Sequence, residues 1–320
     1  MPQDQVRRDA PEPIAESVIR LPLPFRGQFV NSYLVLGADG PRLVDTGIGG
    51  ERSMAALEGH LEAFGFNLRD VVEVLVTHAH PDHVGGATRL AASGARLLMH
   101  PAEAVAYERG DRRFNRHWLV ANGLPAELAE QLPRATPPPL AAGEVEDSED
   151  LSFGHLRLKL VICPGHSPGQ VCAYDGEHGL LFSADQLLKV PTPIATTEPP
   201  LRDSVGDYLA GLDRIAALPV DRVLPGHGRS FGAFSHALAA ARSGQEARAD
   251  GVLEALPADG ASAHQLAVAL KIHEQFSPGL SPANAAALAL GRVAAILRHL
   301  EARGRVVAED GDGAIRFRPR

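Results

Sequence analysis

The sequence has little of several features that mark particular classes of protein. Its 320 residues include only Cys163 and Cys172 as cysteines, too few for a disulfide framework. No apolar run reaches the ~18 residues that a membrane-spanning helix needs. The formal net charge is -8, so a basic surplus typical of nucleic-acid binders is missing. The polar N-terminus shows no secretion signal, and we therefore expect a cytoplasmic protein with reduced thiols that contacts no membrane.

What is present is enough apolar sequence for a large core and a chain that changes character along its length. Hydrophobic residues make up 45% of the chain. Residues 1–16 are polar and predict a flexible tail, and residues 17–235 alternate short apolar strands with helices and glycine-containing loops. Residues 101–140 interrupt that alternation with a helical insert. Residues 236–320 predict a separate, mainly helical domain.

The most informative stretch lies at residues 77–86, where three histidines and an aspartate fall within six positions: His78, His80, Asp82 and His83. An apolar, β-branched run at 71–76 precedes it and predicts a buried strand, so the cluster lies on a strand-to-helix loop. Neutral imidazole and carboxylate are ligands of divalent metals such as zinc. Because neighbouring side chains of a turning loop point in different directions, the cluster suits two adjacent metal ions better than one.

A similar arrangement recurs along the chain. Short apolar strands are followed by an aspartate or histidine in a glycine-containing loop at Asp45, His166, Asp185 and His227, as they are at His78. Pro-Gly-His is a weak motif alone. In this order, after His-x-His-x-Asp-His and with an aspartate between the two later histidines, the pattern is specific.

These residues resemble the motifs of the metallo-β-lactamase superfamily, whose His-x-His-x-Asp-His signature is met by residues 78–83. The resemblance covers roughly residues 17–235 and implies an α/β fold, a four-layer αβ/βα sandwich with two sheets face to face and helices outside. It further implies a hydrolase of the glyoxalase II-like branch. In that family an aspartate placed like Asp45 supports the metal-binding loop from outside the ligand set.

The resemblance also implies a complete set of metal ligands. One ion would be held by His78, His80 and His166, a second by Asp82, His83 and His227, with Asp185 bridging them. The expected cofactors are two divalent ions, zinc first, with manganese or iron also fitting. A bridging hydroxide would be the nucleophile, since a metal lowers the pKa of bound water from ~15.7 to ~7. Asp82 is the candidate to orient that nucleophile and transfer protons.

The same comparison of motifs bears on the reaction. His80 stands where oxygen-reducing relatives carry glutamate, and true β-lactamases generally lack the carboxylate at Asp185, so both activities are disfavoured. We expect hydrolysis of a small thioester or ester. Three alternatives stay open. Two are enzymes: a phosphodiesterase or ribonuclease with the same dinuclear site, and a mononuclear iron persulfide dioxygenase. The third is a non-catalytic DNA-binding regulator.

Four residues are weaker candidates for substrate contacts. The insert contains an aromatic cluster beside a basic run, from which Phe114, Arg116 and Trp118 could line the site and attract an anionic substrate. Packing of a helical pair explains the aromatics equally well. Lys189 follows Asp185 closely and could pair with a phosphate or carboxylate of the substrate.

The C-terminal region has helical patterns at 237–256, 262–270 and 282–303, then two short strands around a turn at 309–313. Helices followed by a hairpin resemble a winged helix. Its excess of arginine over acidic residues is too small for strong phosphate binding, which disfavours nucleic acid as a partner. The oligomeric state is left open.

Overall fold

A computed structural model describes residues 10–110, 114–190, 194, 203–276, 279–311 and 313–320 of the chain. These form two compact units, each assembled from separate stretches of sequence. The first comprises Met1–Glu108, Pro138–Val190 and Gly211–Leu238, and the second Arg109–Pro137, Pro191–Ala210 and Ala239–Arg320. Among the described residues, no helix combines the length and apolar character needed to span a bilayer.

The first unit contains a seven-stranded sheet whose strands lie side by side in chain order. Pairing is antiparallel from β1 to β4 and parallel from β4 to β7. The strands are β1 (Glu12–Ala15), β2 (Val18–Phe25), β3 (Gln28–Val35), β4 (Arg42–Val44), β5 (Glu73–Leu75), β6 (Arg96–Met99) and β7 (Gly143–Glu144).

Helices cover one face of this sheet because their apolar residues recur at helical spacing. They are α1 (Glu51–Glu62), α2 (Pro81–Val84), α3 (Ala87–Ala92) and α4 (Pro101–Arg109), with a 3₁₀ turn at Leu68–Asp70. Met54, Leu57 and Leu61 of α1 are fully buried and pack in one apolar cluster with Leu90 of α3 and the outward side chains of the sheet.

The second sheet has five strands in the order β12-β11-β10-β9-β8, with only β11 and β12 parallel. Its strands are β8 (Asp150–Phe153), β9 (Leu156–Ile162), β10 (Val171–Asp175), β11 (Leu180–Ala184) and β12 (Arg222–Pro225). Alternate residues of β9 are buried, as the alternation of leucine with arginine and lysine predicts. Leu158 and Leu160 of β9 and Phe182 of β11 pack against Tyr33 and Leu75 of the first sheet.

A helix, α7 (Ser204–Ala216), begins in the second unit, and its part from Gly211 onward belongs to the first unit and lies against the end of β9 on the other side. Gly211 permits this close approach, since a Cβ there would lie 3.2 Å from Cβ of Cys163. The Arg214 guanidinium donates to the carbonyl oxygen of Ile162. Helix, sheet, sheet and helix thus form the four predicted layers, and the predicted α/β sandwich is confirmed.

The prediction of a flexible tail over residues 1–16 is wrong for its last part. Glu12–Ala15 is a strand that pairs antiparallel with β2. The Glu12 carboxylate accepts a hydrogen bond at 3.0 Å from the guanidinium of the buried Arg20. A buried arginine needs such a partner, which the composition of the tail did not reveal.

The second unit is mainly helical and includes part of the predicted insert. Its helices are α5 (Arg116–Ala121), α6 (Ala126–Glu130), α8 (Phe234–Ala255, from Ala239 onward), α9 (Ala263–Ala269) and α10 (Pro282–Ala302), with a 3₁₀ turn at Ile272–Gln275. A hairpin of β13 (Val306–Asp310) and β14 (Ile315–Pro319) follows. Helices followed by a hairpin agree with the predicted order of elements, and the winged-helix assignment stays a prediction.

The 101–140 insert is divided between the two units. Its first helix, α4, falls in the first unit up to Glu108, and residues from Arg109 to Pro137 belong to the second. The reason is packing: Phe114, Trp118 and Leu119 share one apolar cluster with residues of α9 and α10.

Candidate metal centre

The strand ends bring the predicted site residues together. Asp45 directly follows β4, His78 lies three residues beyond β5, and Asp185 directly follows β11. His166 lies in the loop after β9, and His227 lies two residues beyond β12. Because β4 and β5 are parallel, as are β11 and β12, their carboxyl ends meet at one edge of each sheet.

Three histidine nitrogens converge in one part of the cluster. His78 Nε2 lies 3.0 Å from His80 Nδ1, and His166 Nε2 lies 2.9 Å from the same His80 nitrogen. The other ring nitrogen of His78, Nδ1, lies 3.0 Å from the hydroxyl of Thr77, which leaves Nε2 directed at the cluster. Three ring nitrogens on one point are the arrangement that a shared cation requires.

Asp82, His83 and His227 meet in a second part. His227 Nε2 lies 3.2 Å from Asp82 Oδ2, and His83 Nε2 lies 3.9 Å from the same oxygen. His80 and Pro81 begin α2, and its short turn is what brings Asp82 and His83 onto the site. The loop therefore supplies donors to two neighbouring triads, and His78 and His83 also share a third triad with Asp185.

Asp185 lies between the two groups. Its Oδ2 is 3.4 Å from His166 Nε2 and 3.6 Å from His227 Nε2, and its Oδ1 is 3.6 Å from His83 Nε2. One carboxylate thus faces histidines of both groups.

The donor atoms fit a metal ion. The predicted ligands form three overlapping triads, and within each triad the donor atoms lie within 4.8 Å of one another. Among the described residues, the buried atoms His83 Nε2 and Asp185 Oδ1 have no hydrogen-bond partner. Buried polar atoms without partners are costly, and a cation between these two would satisfy both.

Asp45 supports this arrangement from behind. Its Oδ1 accepts from the Thr77 amide at 2.8 Å, and its Oδ2 accepts from the Thr77 hydroxyl at 2.8 Å and lies 2.7 Å from His83 Nδ1. Asp45 has a φ of 61°, a left-handed conformation that non-glycine residues adopt rarely and that often marks functional sites.

A sequence model described as the Metallo-beta-lactamase superfamily matches residues 25–227, more than half of the chain. The chain belongs to this superfamily. Acyl-coenzyme A thioesterase MBLAC2 of Gallus gallus is 30% identical over 223 residues, which cover 65% of this chain and 75% of the relative.

Solved structures agree over nearly the whole chain. The metallo-beta-lactamase family protein TTHA1429 from Thermus thermophilus is 26% identical with a TM-score of 0.81, covering 96% of this chain and 100% of that protein. A beta-lactamase domain protein from Burkholderia ambifaria is 27% identical with a TM-score of 0.81, covering 98% and 94%. The protein is a metallo-β-lactamase-fold hydrolase, and this fold implies binding of divalent metal.

The protonation equilibria of the cluster suit cation binding in this superfamily fold. Burial, together with the neighbouring imidazoles, lowers the pKa of His78, so its ring is neutral at pH 7. Burial opposes ionisation of Asp82 and Asp185, but the surrounding histidines outweigh it and lower the pKa of both carboxyls. Burial also acts against protonation of His83, yet Asp45 and Asp185 together raise its pKa to about 10.

Sequence reasoning missed three buried residues that hold the loops of this hydrolase. Asn31 Nδ2 donates at 2.8 Å to the carbonyl oxygens of Pro225 and Gly228, on both sides of His227. Gln170 Oε1 accepts from the Asp185 amide at 3.2 Å. Glu103 accepts from the loops of His78 and His166. Polar residues within otherwise apolar strands, such as Asn31 in β3, were the available signal.

The four candidate substrate contacts have less support. Phe114 and Trp118 are buried in the apolar cluster of the second unit, and Trp118 is only 7% exposed. The Arg116 guanidinium donates to the carbonyl oxygens of Ala129, Leu132 and Pro133, which fixes α5 to α6. These contacts give the three residues a packing role. Lys189 is exposed, and its role in substrate binding stays a prediction.

Proposed function

We propose that this chain is a dinuclear metal-dependent hydrolase of acyl-CoA thioesters. The observation that carries the proposal is the convergence of two groups of ligands on either side of Asp185. His78, His80 and His166 would hold one ion, and Asp82, His83 and His227 would hold the other. A histidine-rich set with few carboxylates favours zinc, and manganese or iron would fit the same donors.

The metal ions would supply two effects when bound: a hydroxide available at neutral pH from water whose pKa falls to ~7, and polarisation of the substrate carbonyl. The chain supplies the geometry. Asp185 would contact the ligands of both ions, since its Oδ1 lies 3.6 Å from His83 Nε2 and its Oδ2 lies 3.4 Å from His166 Nε2. Asp45 fixes the ring of His83 through Nδ1.

Asp82 is the residue that would orient the attacking water. Its neighbours lower the pKa of its carboxyl, so it is ionised and accepts hydrogen bonds at neutral pH. The Asp82 carboxylate would accept a proton from the attacking water and pass it to the sulfur of the leaving group as the carbon–sulfur bond breaks, which gives a carboxylic acid and a free thiol. No thiol of the protein replaces this nucleophile, because Cys163 and Cys172 are fully buried.

The choice of substrate is supported by the activity for which MBLAC2 is named, that of an acyl-coenzyme A thioesterase. A thioester suits the site chemically, since its carbonyl is readily attacked and its thiolate leaves without needing a strong acid. The proposal therefore places thioesters ahead of esters and phosphodiesters.

The test is turnover of three substrates by one preparation of protein reconstituted with zinc: an acyl-CoA series of increasing chain length, an acyl-glutathione and bis(p-nitrophenyl) phosphate. Release of free thiol or of nitrophenolate is followed by absorbance. We expect hydrolysis of acyl-CoA, its loss after chelation, and its return when zinc or manganese is added.

Turnover of the phosphodiester without turnover of any thioester would contradict the proposal and favour the phosphodiesterase alternative. Acyl-CoA hydrolysis that survives complete removal of metal would contradict the metal-dependent reaction.

A further inference from the structure

Glu103, in the first turn of α4, is a fully buried carboxylate outside the predicted ligand set. Its Oε2 accepts a hydrogen bond at 2.7 Å from the amide of Ala79. Its Oε1 accepts from the hydroxyl of Ser167 at 2.7 Å and from the amide of Gly169 at 2.6 Å. Burial raises the pKa of the Glu103 carboxyl, and these three donors act in the opposite direction.

The partners of Glu103 lie on two loops, whose backbones are also joined nearby by a hydrogen bond from the Val171 amide to the Thr77 carbonyl oxygen. Ala79 stands between His78 and His80, so the orientation of its peptide determines where both imidazoles point. Ser167 and Gly169 follow His166 on the second loop. One side chain thus joins the loops that carry all three histidines of the first group.

The second loop is also seated closely on the start of α4. A Cβ on Gly169 would lie 2.2 Å from His100 Nδ1 and 3.0 Å from the Cβ of Ala102. A larger residue at position 169 would require the loop or the side chain of His100 to shift. The loop that carries the Gly169 amide thus packs tightly against the helix that carries Glu103.

We propose that Glu103 is a positioning residue that sets the spacing of His78 and His80 relative to His166, and thereby the affinity of the first metal position. This rests on the proposed function, since it assumes that the three histidines bind metal. Asp45 holds the ring of His83 through Nδ1, and Glu103 would hold the loops of the first group of histidines in a comparable way.

A carboxylate is required because it accepts at both oxygens. Glutamine has the same shape but only one accepting oxygen, and its NH₂ would face an N–H or O–H donor of one loop. Glu103→Gln therefore retains the packing of α4 but loses the hydrogen bond between this side chain and one of the two loops.

The experiment measures zinc binding directly. Metal-stripped wild type, Glu103→Gln and Ser167→Ala are titrated with zinc against a chromophoric chelator, and the two stepwise affinities are fitted. We expect Glu103→Gln to weaken one of the two steps by ~10–100-fold, as loss of an outer partner of a metal ligand typically does. Ser167→Ala removes one of three donors and should weaken the same step less.

The matched control is Glu108→Gln, which makes the same chemical change at an exposed position of the same helix and should bind zinc like wild type. Equal weakening of both steps, accompanied by a lower melting temperature of the metal-free protein, would show a general structural role and overturn the proposal. Unchanged affinities in Glu103→Gln would overturn it as well.

Failure of the proposed function would look different. Wild-type protein that binds fewer than two zinc ions would contradict the dinuclear site itself, whatever the variants do.

Discussion

Two histidine–aspartate pairs in this molecule share one geometry and differ in their surroundings. In the first unit, His83 Nδ1 lies 2.7 Å from Asp45, and in the second unit His299 Nδ1 lies 2.7 Å from Asp203. The other ring nitrogen of His83, Nε2, faces Asp185, and further histidines lie around the His83 ring. No triad of possible metal donors includes His299 among the residues that the structure describes.

The difference shows that a His–Asp pair alone does not make a site. Both pairs fix a ring, but of the two only His83 lies among further donor atoms, and there His83 Nε2 and Asp185 Oδ1 have no hydrogen-bond partner. What distinguishes a candidate metal centre is therefore the number of ring nitrogens and carboxylate oxygens aimed at one volume.

The largest effect should come from removing the carboxylate that the two ligand groups share. Asp185→Ala takes away the oxygen donor that faces both groups, and we expect thioesterase activity to fall by at least ~100-fold, because even outer partners of metal ligands are worth ~10–100-fold. Initial rates in saturating zinc, with circular dichroism as a check of folding, measure this. Full activity in this variant would remove the basis of the proposed mechanism.

A smaller effect should separate the two His–Asp pairs. Asp45→Asn removes the charge behind His83, and we expect zinc affinity to fall by ~10–100-fold. Asp203→Asn makes the same change in the other pair and should leave zinc affinity unchanged. Parallel chelator competition on both variants is the measurement. If Asp203→Asn weakened zinc binding as much as Asp45→Asn, the distinction drawn between the pairs would be wrong.

The smallest effect concerns how the stability contributed by the Asp203–His299 pair of the second unit depends on pH. Burial opposes ionisation of Asp203, but hydrogen bonds from His299 and from the Gly206 amide outweigh it and lower the pKa of its carboxyl. A lowered pKa in the folded state gives stability above the unfolded value of ~3.9, and this stability is lost as the pH falls through the folded value.

The Asp203 carboxylate is 26% exposed, so solvent screening limits the contribution to about 1 kcal/mol. Melting temperatures of wild type and Asp203→Asn should differ at pH 6 and converge as the pH falls from the unfolded value of ~3.9 through the lowered pKa of folded Asp203. A difference that stays constant over this range would show that the charge of Asp203 is not involved.

The fold and the position of the ligand cluster could be predicted because their signals are local in sequence. Each strand is a short apolar run, and Asp45, His78 and Asp185 follow such runs within a few residues. Parallel pairing of the strands then brings their ends together without any further information. The order of the motifs along the chain was sufficient to identify the family.

The other features depend on contacts between distant residues. The three partners of Glu103 lie 24, 64 and 66 positions away, and the guanidinium of Arg116 binds carbonyl oxygens that carry no sequence signature. The aromatic and basic residues of the insert resembled a substrate surface because the sequence of a short helix does not show whether its aromatic side chains face a core or a ligand. Only the packing of Trp118 with α9 and α10 shows that its ring is inside.

The wide spacing of the ligands along the chain has a consequence for folding. A chain that had formed only its first sheet would already contain Asp45, Glu103 and the loop of residues 78–83, but it would lack His166, Asp185 and His227. Metal would then bind tightly only after the second sheet has docked, and mass action would stabilise the finished structure over every partly assembled one. A higher zinc concentration would thus raise the fraction of fully folded molecules as well as the activity of the folded protein.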